Sequence, residues 1–184
     1  IYNSAMPFFV QWDEKDSILL LYRKGQSRMA FGLFKKKGVD LLAPLNGTII
    51  PLEEVPDPVF SQKMMGEGVA IQPTGGHVYA PFSGEIIMIT PTKHAIAIRS
   101  KSGVEVLIHI GLETVSLKGE GFKLVVKEGE HVESGKLLIE VDWAFLEEHA
   151  ESTITPIIVT NSDKKITFGS KGAGIQGETV LMTI

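Results

Sequence analysis

The chain carries five histidines, His77, His94, His109, His131 and His149, and no cysteine. Imidazole has the side-chain pKa closest to neutrality, so at pH 7 it serves as nucleophile, proton carrier or metal ligand. The missing thiols exclude cysteine nucleophiles, thiolate zinc sites and disulfides together. His109 stands in Gly103-Val104-Glu105-Val106-Leu107-Ile108-His109-Ile110-Gly111-Leu112-Glu113-Thr114-Val115. Strand alternation places Val104, Val106, Ile108 and Ile110 on one face and Leu107 and His109 on the other. The first set reads as core. An imidazole is then left on a sheet surface, just before a glycine that lets the backbone turn away. His94 opens a second strand-like run, Ala95-Ile96-Ala97-Ile98. If the two strands are neighbours, both imidazoles meet on one face.

Two close imidazoles permit three kinds of chemistry. Neutral ring nitrogens ligate zinc at about 2.0–2.1 Å. In phosphoryl transfer one nitrogen attacks phosphorus while the other neutralises its oxygens. The third reading is plain packing, and spacing alone favours it. The remaining histidines carry weaker signals: His149 follows Glu147-Glu148 in a charged helical stretch, His131 sits beside Glu130 in a glycine-flanked turn, and His77 follows Thr74-Gly75-Gly76.

The elements that must position these groups are short. With 184 residues, 43% apolar and 22% charged, the chain has the composition of a soluble globular domain with at most a tail. Gly47 to Ile50, Ala95 to Ile98, Val104 to Ile110, Lys136 to Val141 and Ile157 to Thr160 are apolar, β-branched runs bounded by turn residues, and read as strands. Ala144 to Ala150, led by Asp142 as N-cap, reads as a helix, and Pro58 to Met65 as a shorter helical turn. Ala43-Pro44-Leu45-Asn46-Gly47-Thr48-Ile49-Ile50 returns as Ala80-Pro81-Phe82-Ser83-Gly84-Glu85-Ile86-Ile87. Two copies are too few for a solenoid and suggest two similar sheet halves over one core. Val126 to Leu137, with two glycine turns flanking Val132, resembles the hammerhead turns of biotinyl- and lipoyl-carrier folds. The expected class is all-β: an antiparallel β-sandwich/barrel hybrid with internal duplication and one or two short helices.

Net charge is −4 but unevenly placed. Residues 1–37 hold seven Lys/Arg against three Asp/Glu, and residues 38–184 hold eleven against nineteen. The acidic body argues against nucleic acid as ligand and suits a basic protein partner. The apolar run Ile18 to Tyr22 is too short for a bilayer, and no secretory leader is visible, so a cytoplasmic location is expected. Three segments follow: 1–28, an N-terminal extension with no assigned role; 29–38, an apolar patch and basic run; and 39–184, the body. Residues 29–37 read better as a solvated tail than as a weak membrane-surface contact.

Gly103 to Val115 resembles the phosphorylation-site signature of the glucose-type IIA domains of the bacterial phosphoenolpyruvate-dependent sugar phosphotransferase system. The likeness covers residues 39–184. Pro56-Asp57-Pro58-Val59-Phe60, Thr92-Lys93-His94-Ala95, Leu117-Lys118-Gly119-Glu120-Gly121-Phe122 and Ser152-Thr153-Ile154-Thr155-Pro156 resemble family segments in the expected order. Met29 to Lys37 resembles the start of standalone members. The resemblance implies that His109 takes a phosphoryl group on Nε2 from phospho-HPr and passes it to a cysteine of a IIB domain of a sugar permease. His94 would hydrogen-bond the group, Thr92 would orient His94, and no cofactor is needed. Asp57 and Glu113 match acidic positions flanking the site, although members commonly carry Asp where Glu113 stands. Val59, Phe60, Met64, Met65, Leu107 and Val115 match positions ringing the histidine, an apolar face on which two partners dock in turn.

Other classes compete. A zinc peptidase of the lysostaphin type needs a His-x-His pair, and His109-Ile110-Gly111 breaks it. A regulatory binding domain of the same fold would not need Thr92, His94 and His109 together. A lipoyl-type carrier needs a lysine at a hairpin tip that is absent. Zinc held by His94 and His109 at a partner interface stays open.

Overall fold

The computed structural model describes residues 9–13, 18–22, 29–33, 38–161, 165–169 and 171–184. The chain divides into two compact units, Ile1–Gly38 and Val39–Ile184. In the first, β1 (Phe9–Asp13), β2 (Ile18–Tyr22) and β3 (Met29–Leu33) pair antiparallel in that order. Met29–Leu33, grouped on sequence with the basic run that follows, is thus a strand, whereas residues 34–37 with their lysines lie outside the described residues. Among the described residues no helix is long and apolar enough to cross a membrane.

The second unit is built on an eight-stranded antiparallel sheet. Its strands in chain order are β5 (Asn46–Pro51), β6 (Glu67–Gly75), β8 (Gly84–Ile89), β9 (Ala95–Ser100), β10 (Glu105–His109), β12 (His131–Val132), β14 (Thr155–Val159) and β16 (Gly172–Gly174). Their spatial order is β12-β8-β9-β10-β14-β6-β5-β16. Two small sheets accompany it. One is β11 (Phe122–Leu124), β13 (Leu137–Val141) and β7 (Val78–Tyr79); the other is β15 (Thr167–Phe168), β17 (Val180–Thr183) and β4 (Asp40–Leu42). Leu41, Val78, Ile139 and Met182 of the small sheets share one buried cluster with Ile71, Ile86, Ile96, Ile98, Val106, Ile108 and Ile157 of the large one. The core therefore lies between layers, as alternation along each strand requires. The fold is the expected all-β antiparallel class. No described sheet closes into a barrel, so sandwich is the accurate half of the hybrid description.

The helices are short. α1 (Pro58–Ser61) has proline in its first turn and is capped by Asp57, which accepts from Val59 N–H at 2.7 Å. α2 (Trp143–His149) is capped by Asp142, which accepts from Phe145 N–H at 3.1 Å.

The sequence repeat is a structural duplication. β8 lies second from one end of the large sheet and β5 second from the other. Leu42 N–H donates to the Pro81 carbonyl at 3.0 Å while Tyr79 N–H donates to the Pro44 carbonyl at 2.9 Å. Both residue pairs are related by the repeat offset. The equivalence runs beyond the repeated residues. Gly177 N–H donates to Ala43 O and Gly135 N–H to Ala80 O; Asn46 Oδ1 accepts from Gln176 N–H as Ser83 Oγ accepts from Ser134 N–H. Gly47 and Gly84 occupy equivalent crowded places: an added Cβ would lie 2.2 Å from Gln72 O and 2.3 Å from Arg99 O.

Candidate functional site

β9 and β10 are neighbours, with His109 opposite Ala95. His94, one residue before Ala95, is thereby brought against His109: the ring centroids lie 4.8 Å apart at 68°. On the opposite face Val104, Val106, Ile108 and Ile110 are fully buried in the main core, as alternation demands. The β5–β6 and β8–β9 connections, made equivalent by the duplication, form two walls of the site. The first contributes α1 and Phe60, whose ring lies 5.1 Å from that of His109. The second contributes Thr92 and His94.

His109 Nδ1 lies 2.8 Å from the Gly111 carbonyl. A carbonyl only accepts, so Nδ1 carries the proton and the neutral ring keeps its lone pair on Nε2. This carbonyl is placed by a backbone that glycine permits: Gly111 has φ +72°, and a Cβ there would stand 2.7 Å from Thr114 Cγ2. Burial pushes the His109 pKa down, partly opposed by the Gly111 bond and by the charges of Asp57 and Glu113. His94 is 6% exposed, and burial, helped by the positive charge His109 can take up, pushes its pKa down to about 4. At neutral pH both rings are uncharged. Thr92 Oγ1 is 2.6 Å from His94 Nδ1. With the hydroxyl donating, His94 carries its own proton on Nε2 and presents an N–H donor there.

The first wall-forming segment is well anchored. Phe60 is buried with Leu52, Val55, Ala70, Leu112 and Ile158. Ser61 Oγ donates to Asp57 O at 2.9 Å, and Lys63 Nζ bridges Glu53 and Glu67 at 2.8 Å each. Of the residues expected to ring the histidines, Val59, Met64, Met65 and Val115 are exposed, Met64 at 70% and Val115 at 56%. Two residues expected in that exposed ring are placed otherwise. Leu107 is 5% exposed and packs with Ala95, Ala97 and Ile87. Phe60 is equally buried and acts as a packing surface for His109. Glu113 is exposed in a left-handed conformation just before the short 3₁₀ turn Thr114–Leu117.

His149 stacks on Phe145, His77 Nδ1 accepts from Val141 N–H, and His131 lies exposed on β12, so none joins the pair. Among the described residues no three His, Asp or Glu side chains converge as a metal site, and a catalytic zinc needs three protein ligands. Nothing in the sequence distinguishes Thr90, yet its Oγ1 lies 3.3 Å from His94 Nδ1. The turn between β8 and β9 folds it back there.

Comparison with known proteins places this geometry in a family. The chain is 53% identical over 146 residues to the glucose-specific EIIA component of Halalkalibacterium halodurans, covering 78% of this chain and 84% of that protein. It is 51% identical over 146 residues to the glucoside-specific EIICBA component of Staphylococcus carnosus, of which those residues span 21%. The solved glucose permease IIA from Mycoplasma capricolum superimposes with a TM-score of 0.76 at 44% identity, covering 79% of this chain and 96% of that one. Residues 39–165 match the model for the phosphoenolpyruvate-dependent sugar phosphotransferase system, EIIA 1. The paired imidazoles on their antiparallel strands therefore sit in a chain that belongs to this EIIA family, a phosphotransferase component of sugar uptake.

Proposed function

We propose that the protein is a phosphocarrier that accepts a phosphoryl group on His109 from the phosphohistidine of HPr and hands it to the cysteine of a IIB domain. The observation that carries this reading is the His109 Nδ1 bond to the Gly111 carbonyl, which leaves a lone pair on Nε2 beside a second neutral imidazole. In the first transfer that lone pair forms a P–N bond as the P–N bond to HPr breaks. In the second, a thiolate forms a P–S bond as the bond to Nε2 breaks. His94, held by Thr92, donates a hydrogen bond from its Nε2–H to the phosphoryl oxygens and keeps that proton. Positioning and charge stabilisation suffice, so no cofactor is required.

The acceptor cysteine belongs to another domain, because this chain has none. Val59, Met64, Met65 and Val115 offer one apolar face to both partners, and flexible methionines let it fit two surfaces in turn. The acidic body favours a basic donor. Work in the cytoplasm, with at most weak membrane-surface contact through residues 29–37, follows from this role. The sugars named for the relatives, glucose and glucosides, are the first cargo to test.

Incubation with phosphoenolpyruvate, Enzyme I and HPr should add one acid-labile phosphoryl group by intact mass, absent in His109→Gln. His94→Gln should still accept the group but pass it on poorly. An unmodified wild type would sink the carrier reading and leave a regulatory binding domain of the same fold.

A further inference from the structure

We infer that Thr90 is a positioning residue for phosphoryl transfer: its hydroxyl clamps the peptide that carries His94, holding that imidazole in register against His109. The inference rests on the phosphocarrier reading for its kinetic consequence and on hydrogen-bond accounting for its geometry.

Thr90 starts the turn Thr90-Pro91-Thr92-Lys93, in which Lys93 N–H donates to the Thr90 carbonyl at 2.8 Å. Thr90 N–H donates to the Ala95 carbonyl at 3.0 Å. A regular antiparallel pair would return the bond from Ala95 N–H to the Thr90 carbonyl. That carbonyl is already engaged by the turn, and Ala95 is 2% exposed, so its N–H needs another acceptor. Thr90 Oγ1 provides it at 3.0 Å.

The carbonyl of the same peptide unit, His94 O, accepts from Ile110 N–H at 2.7 Å. The peptide joining His94 to Ala95 is therefore held at one end by Thr90 and at the other by the residue next to His109. Between the Thr90 carbonyl and this peptide, Lys93 takes the left-handed conformation at φ +57°, which a lysine adopts only when its surroundings hold it. Thr90 Oγ1 lies 3.2 Å from Ala95 O, an acceptor for its hydroxyl, and 3.3 Å from His94 Nδ1. Thr92, closer to Nδ1 at 2.6 Å, is the better-placed donor and keeps the His94 proton on Nε2.

The test compares Thr90→Val, which keeps the shape and removes the hydroxyl, with Thr90→Ser, which keeps the hydroxyl. The full chain is phosphorylated through HPr and its onward transfer to a purified IIB domain is followed by rapid quench. Thr90→Val should still accept phosphate on His109, but kcat for transfer should fall about tenfold to a hundredfold with KM unchanged, the scale expected for a misplaced catalytic group. Thr90→Ser should restore the rate. In unphosphorylated protein, ¹H–¹⁵N spectra of the imidazoles should show a single Nε2–H tautomer for His94 in wild type and Thr90→Ser, and a mixture in Thr90→Val. A wild-type kcat in Thr90→Val, a loss shared by Thr90→Ser, or a kcat loss with the tautomer unchanged would each overturn the inference. If Thr90→Val does not fold, Thr90→Ala, with room for a water on Ala95 N–H, is judged by the same outcomes. The spectra need no phosphate, so a wild type that takes none sinks the carrier reading while the clamp is still tested.

Discussion

At the scale of single residues, the site depends on two imidazoles staying uncharged. An ordinary histidine is half protonated near pH 6.5, and in the proposed role protonation would remove the Nε2 lone pair with which His109 attacks phosphorus. Burial lowers its pKa, so phosphorylation by HPr should stay constant as pH falls past about 6.5 and decline only at more acid values. Initial rates across a pH series, with HPr phosphorylated in advance, check this; a half-maximum at or above about 6.5 would contradict it. His94 has a second consequence. Folded, it takes up its proton near 4; unfolded, near 6.5. Between these values the unfolded state binds more protons, so stability is full above the upper one and is lost as pH falls toward the lower. The wild-type unfolding midpoint should therefore drop between pH 6.5 and 4, and His94→Gln should flatten that slope.

At the scale of elements, Asp57 does two separable things. Its carboxylate caps α1, and its charge raises the His109 pKa. Asparagine caps about as well as aspartate, so Asp57→Asn should leave thermal stability nearly unchanged while moving the acid decline of phosphorylation to lower pH, because the lost charge no longer favours the protonated His109 ring. Asp57→Ala should cost about 1 kcal/mol of unfolding free energy in addition. Gly111 links element to chemistry more tightly. Its positive φ and the Thr114 methyl crowd out a Cβ, so Gly111→Ala should destabilise by about 1–3 kcal/mol in denaturant titration. The carbonyl that fixes the His109 tautomer would move with it, and the phosphorylation rate should fall further than the unfolded fraction explains.

Across the molecule, the duplication makes a prediction about pairs. Gly47 and Gly84 meet facing carbonyls at nearly equal distance, so Gly47→Ala and Gly84→Ala should cost similar stability, about 1–3 kcal/mol each. Neither touches the histidines, and both variants should be phosphorylated at the wild-type rate where folded. Unequal losses would mean that one half yields more readily than its counterpart.

Much of this was legible in the sequence. Alternation from Val104 to Ile110 set His109 apart from the core, since a period of two leaves one face per parity. Asp142 before an apolar run marked α2, and the repeated Ala-Pro-x-x-Gly motif marked the duplication. Tertiary structure decided the rest. The meeting of His94 and His109 depends on β9 and β10 pairing in the register that the turn between them and the buried face set together, which alternation along one strand does not reveal. Leu107 and Phe60 passed for exposed docking residues because apolar type is the same in a core and in a contact patch; only Ala97 opposite Leu107, with Ala95 in the same cluster, and the cluster around Phe60 settle their burial. Thr90 carried no signal, because its importance comes from a buried amide that lost its backbone partner to a turn. Residue types and periodicity determined which chemistry was available, and long-range pairing determined where it could happen, because contacts between distant segments form only when the whole sheet does.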